Sequence, residues 1–458
     1  VKKIKVIGGG LAGPEAALQA ARLGCEVSLY EMRPVRSTEA HQTADFAELV
    51  CSNSLKSESE NTAPWLLKQE MRRAGSVLLT EADASAVPAG HALAVDRVEF
   101  SRRVAARIEA LAGNGPGRIA VHREEVLALD EHDPDTVTIL ATGPLTSPAL
   151  TAELTRLTGS AHLAFYDSIS PIVDAATIDM DKVYFAARYD KGTADYINCP
   201  FTKGEYDRFL DALTTAEAVP AKPWEQVPSN PERGTSNLVH YFEGCLPIEE
   251  TARRGRDTLR FGPMKPVGLT DPKTGKWPYA VVQLRQENLR ADSYNLVGFQ
   301  NHLRFGEQAR VLRLIPGLEN ATFLRYGQIH RNTYINAPAL LTETLQLRAH
   351  PSILIAGQLS GVEGYTESIA SGLLAGRYAA ALARGFGPEP APRASANGSL
   401  THYITHAESK HFQPANITFD LLPPLEEELR RRIRDKKERH KIQCDRALAA
   451  WDAWLAAK

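Results

Sequence analysis

A glycine-rich hexapeptide, Gly8-Gly9-Gly10-Leu11-Ala12-Gly13, follows a short β-branched run, Lys3 to Ile7, and opens a good helix former, Pro14 to Leu23. This G-x-G-x-x-G pattern between strand and helix points to the α/β class. Its first glycine permits the tight turn, its second lets the backbone approach a pyrophosphate, and its third lets the helix pack close on the strand. The helix N-terminus then faces the negative charge. Gly24 closes the helix, and Cys25 to Tyr30 alternates as a strand should. Glu31 stands at the end of that strand, where a carboxylate accepts a ribose hydroxyl. A glycine turn in an unrelated α/β unit is the competing reading, and the flanking elements oppose it.

The grammar returns twice. Val137-Thr-Ile-Leu-Ala141 is a short apolar strand running into Thr142-Gly143, and Ser352-Ile-Leu-Ile-Ala-Gly357 is another, followed by a helix of small residues, Thr366 to Ala383. A backbone that approaches a nucleotide at three strand ends is the pattern of two-dinucleotide flavoproteins, so FAD is favoured over NAD. The segment Glu363-Gly-Tyr365 suits a close helix start over a flavin. From about Phe165 to Leu296, aromatics, prolines and short strands dominate, with turn signals at Asp271-Pro272 and Thr274-Gly275. The expected organisation is a discontinuous FAD-binding domain of Rossmann type (1–164 and 297–400), an inserted α+β domain (165–296) and a C-terminal helical segment (401–458).

The last segment carries an apolar stripe through Leu425, Leu429, Ile433, Cys444, Leu448, Trp451 and Leu455. Its middle, Arg430 to Lys441, is strongly basic. A solvated helix face and a phosphate contact both account for that charge. Globally, 53 basic residues face 55 acidic ones, a net charge of −2, so no overall basic field announces a nucleic acid. No run approaches the roughly 20 apolar residues that span a bilayer, and the strand-like start does not read as a signal peptide.

Five cysteines (Cys25, Cys51, Cys199, Cys245 and Cys444) lie far apart without a Cys-x-x-Cys. That argues against a disulfide framework or a zinc site and for a reducing cytoplasm; no metal is expected. Cys51 ends an apolar run at Ser-Asn-Ser, which favours exposure to a cleft, although a lone cysteine is also a common core filler. Cys245 sits in a constrained Gly-Cys-Leu-Pro turn with Arg253, Arg254 and Arg256 nearby, and cations favour the reactive thiolate. Cys25 and Cys444 read as packed, and Cys199 is ambiguous.

Nearly the whole chain resembles the folate- and FAD-dependent tRNA (uracil-5-)-methyltransferases, the TrmFO (Gid) family. The resemblance rests on Gly8 to Ala16, Glu31-Met-Arg33-Pro34, Val50-Cys-Ser-Asn-Ser-Leu55, Ala89 to Arg97 and Ala141 to Ser147. Further matches are Phe242-Glu-Gly-Cys245, Gly262-Pro-Met-Lys265-Pro-Val-Gly268, Gln283-Leu-Arg285-Gln286, His330-Arg-Asn-Thr333 and Gly361-Val-Glu-Gly-Tyr365. Asn301 departs from the threonine expected there and puts only a local contact in doubt.

The resemblance implies methylation of the T-loop uridine (position 54 in tRNA numbering) at C5. The carbon donor would be 5,10-methylenetetrahydrofolate, the reductant reduced FAD, and the electron source NAD(P)H. It implies that the flavin takes the methylene from folate and presents it to the base. Uracil C5 is a poor nucleophile, so a thiolate adding at C6 splits one hard step into two. Two family cysteines match Cys51 and Cys245: Cys245 is taken as the nucleophile and Cys51 as base or flavin-side partner, and the roles can be exchanged. Cofactor contacts are expected from Gly8 to Gly13, Glu31, Arg33, Thr142, Gly143, Gly357 and Gly361. His330 is expected to stack on the pterin, unless it is a hydrogen-bonded structural histidine, while Arg285, Lys265 and Arg331 would meet phosphate or folate carboxylates. The base must leave the T-arm stack, and tRNA affinity should fall with salt. No membrane or protein partner is implied. Three rivals remain: a wobble-uridine enzyme of the GidA/MnmG type, a small-molecule FAD oxidoreductase, and an RNA-binding module with a structural flavin.

Overall fold

A computed structural model describes residues 2–159, 163–190, 192–220 and 246–457, with the side chains of 163–168 and 329–331 outside the description. Five parallel strands form the first sheet in the order Ile353–Ile355, Thr136–Leu140, Lys3–Ile7, Val27–Tyr30, Ile119–His122. The chain enters at the centre of this sheet, steps to one side for Val27–Tyr30, and crosses to the other for Thr136–Leu140. Strand order therefore reverses beside the C-terminal end of Lys3–Ile7, and such a switch point opens a crevice for ligands. The fold is α/β of the Rossmann FAD-binding type.

The hexapeptide helix, Ala12–Arg22, lies against the long helix Tyr365–Ala383. Small residues four apart make this approach possible: a Cβ on Gly372 would stand 2.3 Å from the Ala12 carbonyl oxygen, and one on Gly376 would stand 2.5 Å from that of Ala16. The two helices and the sheet share one core with Leu66, Leu67, Phe100 and the C-terminal residues Leu400, Ile404, Cys444 and Trp451.

The second body is a six-stranded antiparallel sheet, ordered Tyr184–Ala186, Tyr196–Phe201, Ala280–Gln286, Ser293–Leu296, Ile172–Asp174, Phe323–Arg325. Its core, with Phe201, Phe209, Phe299 and Leu213, runs from Val173 to Ala321. The insertion therefore extends beyond the expected boundary at 296, because Phe323–Arg325 pairs with Ile172–Asp174. Leu163–Ser168 and Ile329–Tyr334 pair antiparallel and join the two bodies. A small antiparallel sheet, Ser54–Ser57, Ala92–Val95 and Ala86–Val87, follows Cys51.

Residues 401–458 are not a separate unit, since Ile404, Cys444 and Trp451 complete the first core. The apolar stripe expected there is also interrupted: helices Glu427–Arg432 and Lys436–Ala456 are separate, and Asp435 caps the second by accepting from the Lys437 and Glu438 amides. Among the described residues, no helix is long and apolar enough to cross a membrane.

Candidate functional site: a cleft at the switch point

At the reversal of strand order lies a cleft, the place where an open α/β sheet receives ligands. The ends of three parallel strands border it through Gly8 to Ala12, Ala141 to Thr146, and Gly357. Gly8 makes the turn at φ +118°, where a side chain is strained, and its absent Cβ would stand 2.2 Å from the Ala141 carbonyl oxygen. Gly10 lines the cleft, and a Cβ there would meet no atom within 4 Å, so the backbone is open to whatever occupies the space. Gly13 does not line it; the helix packs there on the Gly8 carbonyl.

Glu31 is buried at the edge of the cleft. Its Oε2 accepts from the Gly9 amide at 2.7 Å, and its Oε1 accepts from the Arg33 amide at 2.9 Å and from Arg33 Nε at 2.8 Å. Burial alone would raise its pKa, but the Arg33 guanidinium and the two amides outweigh it and hold the carboxyl below its ordinary value. An ionised carboxylate has lone pairs left to accept a hydroxyl. Arg33 is also buried and pairs with Glu48 at 3.0 Å. Thr142, Gly143 and Gly357 all face the cleft, but Gly361 does not: its missing side chain makes room for the Phe412 ring, 2.4 Å from where a Cβ would be.

Cys51 is half-buried and follows Val50, a cleft residue. Its amide donates to the Oη of Tyr365, which also lines the cleft, at 2.6 Å, and the Ser52 amide donates to the same oxygen at 3.2 Å. Burial pushes the Tyr365 hydroxyl pKa up, so the phenol stays neutral. On the other side, Arg97 donates to the Cys51 carbonyl at 3.3 Å and to that of Leu49 at 2.6 Å, while pairing with Glu287.

Arg97 and Glu287 belong to a second cavity of about 290 Å³ between the two bodies, lined also by Gln42, Glu48, Asn288 and Arg325. Glu48 borders both cavities, and Cys51 is held between them by one residue from each, Tyr365 and Arg97. Burial and the neighbouring Arg97 charge lower the Arg325 pKa, as expected where two guanidinium groups converge on one space.

The remaining expected site residues separate. Arg285 is buried and donates through Nε to the Asn53 Oδ1 at 3.0 Å, so it docks the inserted sheet on the Cys51 segment. Lys265 is exposed, and its carbonyl accepts from Arg188 at 3.0 Å. His330 and Arg331 lie on the strand pair joining the bodies, opposite Asp167 and Tyr166; nearby, the Thr333 amide donates to the carbonyl of Pro144, a cleft residue. Cys245 lies outside the described residues. Of the arginines near it in sequence, Arg253 pairs with Glu250, and Arg256 with Asp207 and Asp211. Cys25, Cys199 and Cys444 are buried; burial pushes the Cys199 thiol pKa up, and the Cys444 thiol up to about 12.

Sequence reasoning missed Glu48 and Arg97 as site residues and used Tyr365 only to mark a helix start. A tyrosine at the first turn of a helix that begins over the cleft was the available signal. Glu48 carried none.

Residues 3–387 match the family model described as glucose inhibited division protein A. The chain is 67% identical over 454 residues (99% of this chain, 98% of the relative) to a methylenetetrahydrofolate–tRNA-(uracil-5-)-methyltransferase TrmFO of Koribacter versatilis. It is 61% identical over 460 residues to the protein of that name from Solibacter usitatus (100% and 99%), and 53% over 447 residues to that of Enterococcus faecalis (98% and 97%). Among solved structures it resembles Aquifex aeolicus GidA, with TM-score 0.69, 17% identity, and coverage of 99% of this chain and 74% of that one. The chain therefore belongs to the glucose inhibited division protein A family and, within it, to the TrmFO proteins.

Proposed function

We propose that this chain methylates C5 of a uracil in tRNA, the T-loop uridine at position 54, with 5,10-methylenetetrahydrofolate as carbon donor. Full-length identity of 67%, 61% and 53% to three relatives named for this reaction carries the reading. FAD fits the switch-point cleft: the open backbone at Gly10, the Ala12–Arg22 helix N-terminus and the ionised Glu31 match a dinucleotide's phosphates and ribose. When bound, reduced FAD supplies the electron pair that completes the methyl group. NAD(P)H is the electron source in this reading. In this reading the enzyme works in the cytoplasm.

The chain's own residues do the rest. The Cys245 thiolate adds to C6 of the uracil, and the electron pair displaced onto C5 forms the bond to the one-carbon unit. Cys51, fixed by Tyr365 and Arg97 between the two cavities, takes the C5 proton as the one-carbon unit's bond to its carrier nitrogen breaks, and the Cys245 sulfur leaves C6 once the resulting exocyclic methylene has been reduced. The second cavity, bounded by Arg97 and Arg325, receives the extruded base or the folate. His330, on the strand pair beside the cleft, stacks on the pterin, and Lys265 meets phosphate. Support for a phosphate-binding face comes from the exposed Arg430, Arg431, Arg432, Lys436 and Lys437.

The test uses unmodified tRNA, labelled methylenetetrahydrofolate and NADPH, with the label mapped by nuclease digestion. Label at the T-loop uridine is expected. Label at the wobble base overturns the reading in favour of a GidA-type activity, and NADPH oxidation indifferent to folate and tRNA favours a small-molecule oxidoreductase. Intact tRNA binding without turnover would leave an RNA-binding module.

A further inference from the structure

Away from the cleft, His402 and His406 lie four apart on the helix Ala396–His406, so both rings project from one face. The rings stack with centroids 4.2 Å apart. Facing them is Glu343, from the turn after Ala337–Leu340, a turn fixed by the Thr342 amide donating to the Gln346 carbonyl at 3.0 Å. One carboxylate oxygen, Glu343 Oε1, lies 3.0 Å from His402 Nδ1 and 3.7 Å from His406 Nδ1. One ligand atom from each residue falls within 4.8 Å of the others.

We propose that Glu343, His402 and His406 form a binding site for a divalent transition-metal ion of the Zn²⁺ type. Ligands about 2.0–2.1 Å from a tetrahedral ion stand roughly 3.3–3.5 Å apart, between the 3.0 and 3.7 Å separations of Glu343 Oε1 from the two imidazoles, and loading turns the stacked rings so that both Nδ1 lone pairs meet one ion. Two imidazoles with one carboxylate are the donor set of zinc rather than of magnesium or calcium, which take oxygen. The three side chains are 40%, 36% and 48% exposed, which leaves the fourth position to water. His406 Nδ1 now faces the Thr405 hydroxyl at 3.0 Å and the His402 carbonyl at 3.2 Å, contacts that loading exchanges for the metal. The ion ties the helix Ala396–His406 to the turn after Ala337–Leu340. The site is structural and independent of the methylation reaction.

The test titrates untagged, chelator-treated holoprotein with Zn²⁺ by calorimetry, with Mg²⁺ as control. One equivalent of Zn²⁺ should bind and raise the melting temperature, since an ion that binds only the folded chain stabilises it. X-ray absorption should show nitrogen and oxygen neighbours near 2.0–2.1 Å and no sulfur near 2.3 Å. Glu343→Gln and His402→Ala should lose that equivalent and the melting shift, while His411→Ala, at an exposed histidine outside the cluster, keeps both. No binding, equal binding by all variants, or sulfur in the metal's coordination shell overturns the proposal.

Discussion

The phenol oxygen of Tyr365 accepts the Cys51 amide at 2.6 Å and the Ser52 amide at 3.2 Å, fixing a cysteine backbone with a residue more than three hundred positions away. The same tyrosine lines the switch-point cleft. Cofactor cleft and thiol are thus held by one side chain.

Tyr365→Phe keeps the ring and removes that acceptor. Two amides lose a partner, at about 1–3 kcal/mol for a buried unsatisfied donor. The variant should fold and retain flavin, with methyl transfer reduced roughly tenfold or more, as about 1.4 kcal/mol in barrier is a factor of ten. Single-turnover methylation beside the flavin absorbance checks both.

Gly8→Ala and Gly10→Ala should separate folding from cofactor binding. A methyl on Gly8 collides with the Ala141 carbonyl at 2.2 Å in a strained backbone, so both melting temperature and flavin content should fall. A methyl on Gly10 meets no protein atom and enters the cleft. Flavin content should fall there while the unfolding free energy of the flavin-free protein changes by no more than about 0.5 kcal/mol, the usual range for harmless substitutions.

With Cys245 as the proposed nucleophile, Cys245→Ala should purify yellow and lose methylation. Cys51→Ala should also keep flavin, but stall after attack on the base. Mass spectrometry of each variant with 5-fluorouridine-containing T-arm RNA distinguishes the roles: a covalent adduct is expected with Cys51→Ala and none with Cys245→Ala. The reverse pattern exchanges the two.

Glu70 is buried and accepts the Ala396 amide at 2.6 Å and the Asn397 amide at 2.9 Å, at the start of the helix that carries His402. Burial outweighs these donors and raises its pKa from 4.5 to about 7. The folded state then holds a proton that the unfolded chain has released, so this group's contribution to stability is full below about pH 4.5 and is lost as pH rises through 7. That shift amounts to about 3 kcal/mol. Glu70→Gln should flatten the slope of stability between pH 4.5 and about 7, as measured by urea unfolding.

The dinucleotide cleft was legible in the sequence because its parts are neighbours in the chain. Lys3–Ile7, the glycine turn, Ala12–Arg22 and Glu31 occupy one stretch of about thirty residues, and local sterics decide its shape. The later strand ends, Thr142-Gly143 and Gly357, repeat the same local pattern and fall on the same cleft. Gly361 looked alike in sequence and differs only in what packs on it, the ring of Phe412.

Arg285 illustrates the opposite case. Its charge suggested a ligand contact, but its Nε donates to Asn53, which also donates to the Gln286 carbonyl at 2.9 Å. No spacing announces a pair 232 positions apart. The insertion boundary moved for the same reason, since Phe323–Arg325 joins a strand that precedes it by some 150 residues. His402 and His406 show an i, i+4 spacing on the page, but Glu343 enters only through folding. The sequence alone determined the class of fold, the cleft's nucleotide-facing wall and the cysteines available for chemistry, because turn and helix preferences act over a few residues. Which side chains face one another across that wall was decided by the tertiary structure, because packing two sheets and their helices brings together residues that no local interaction connects.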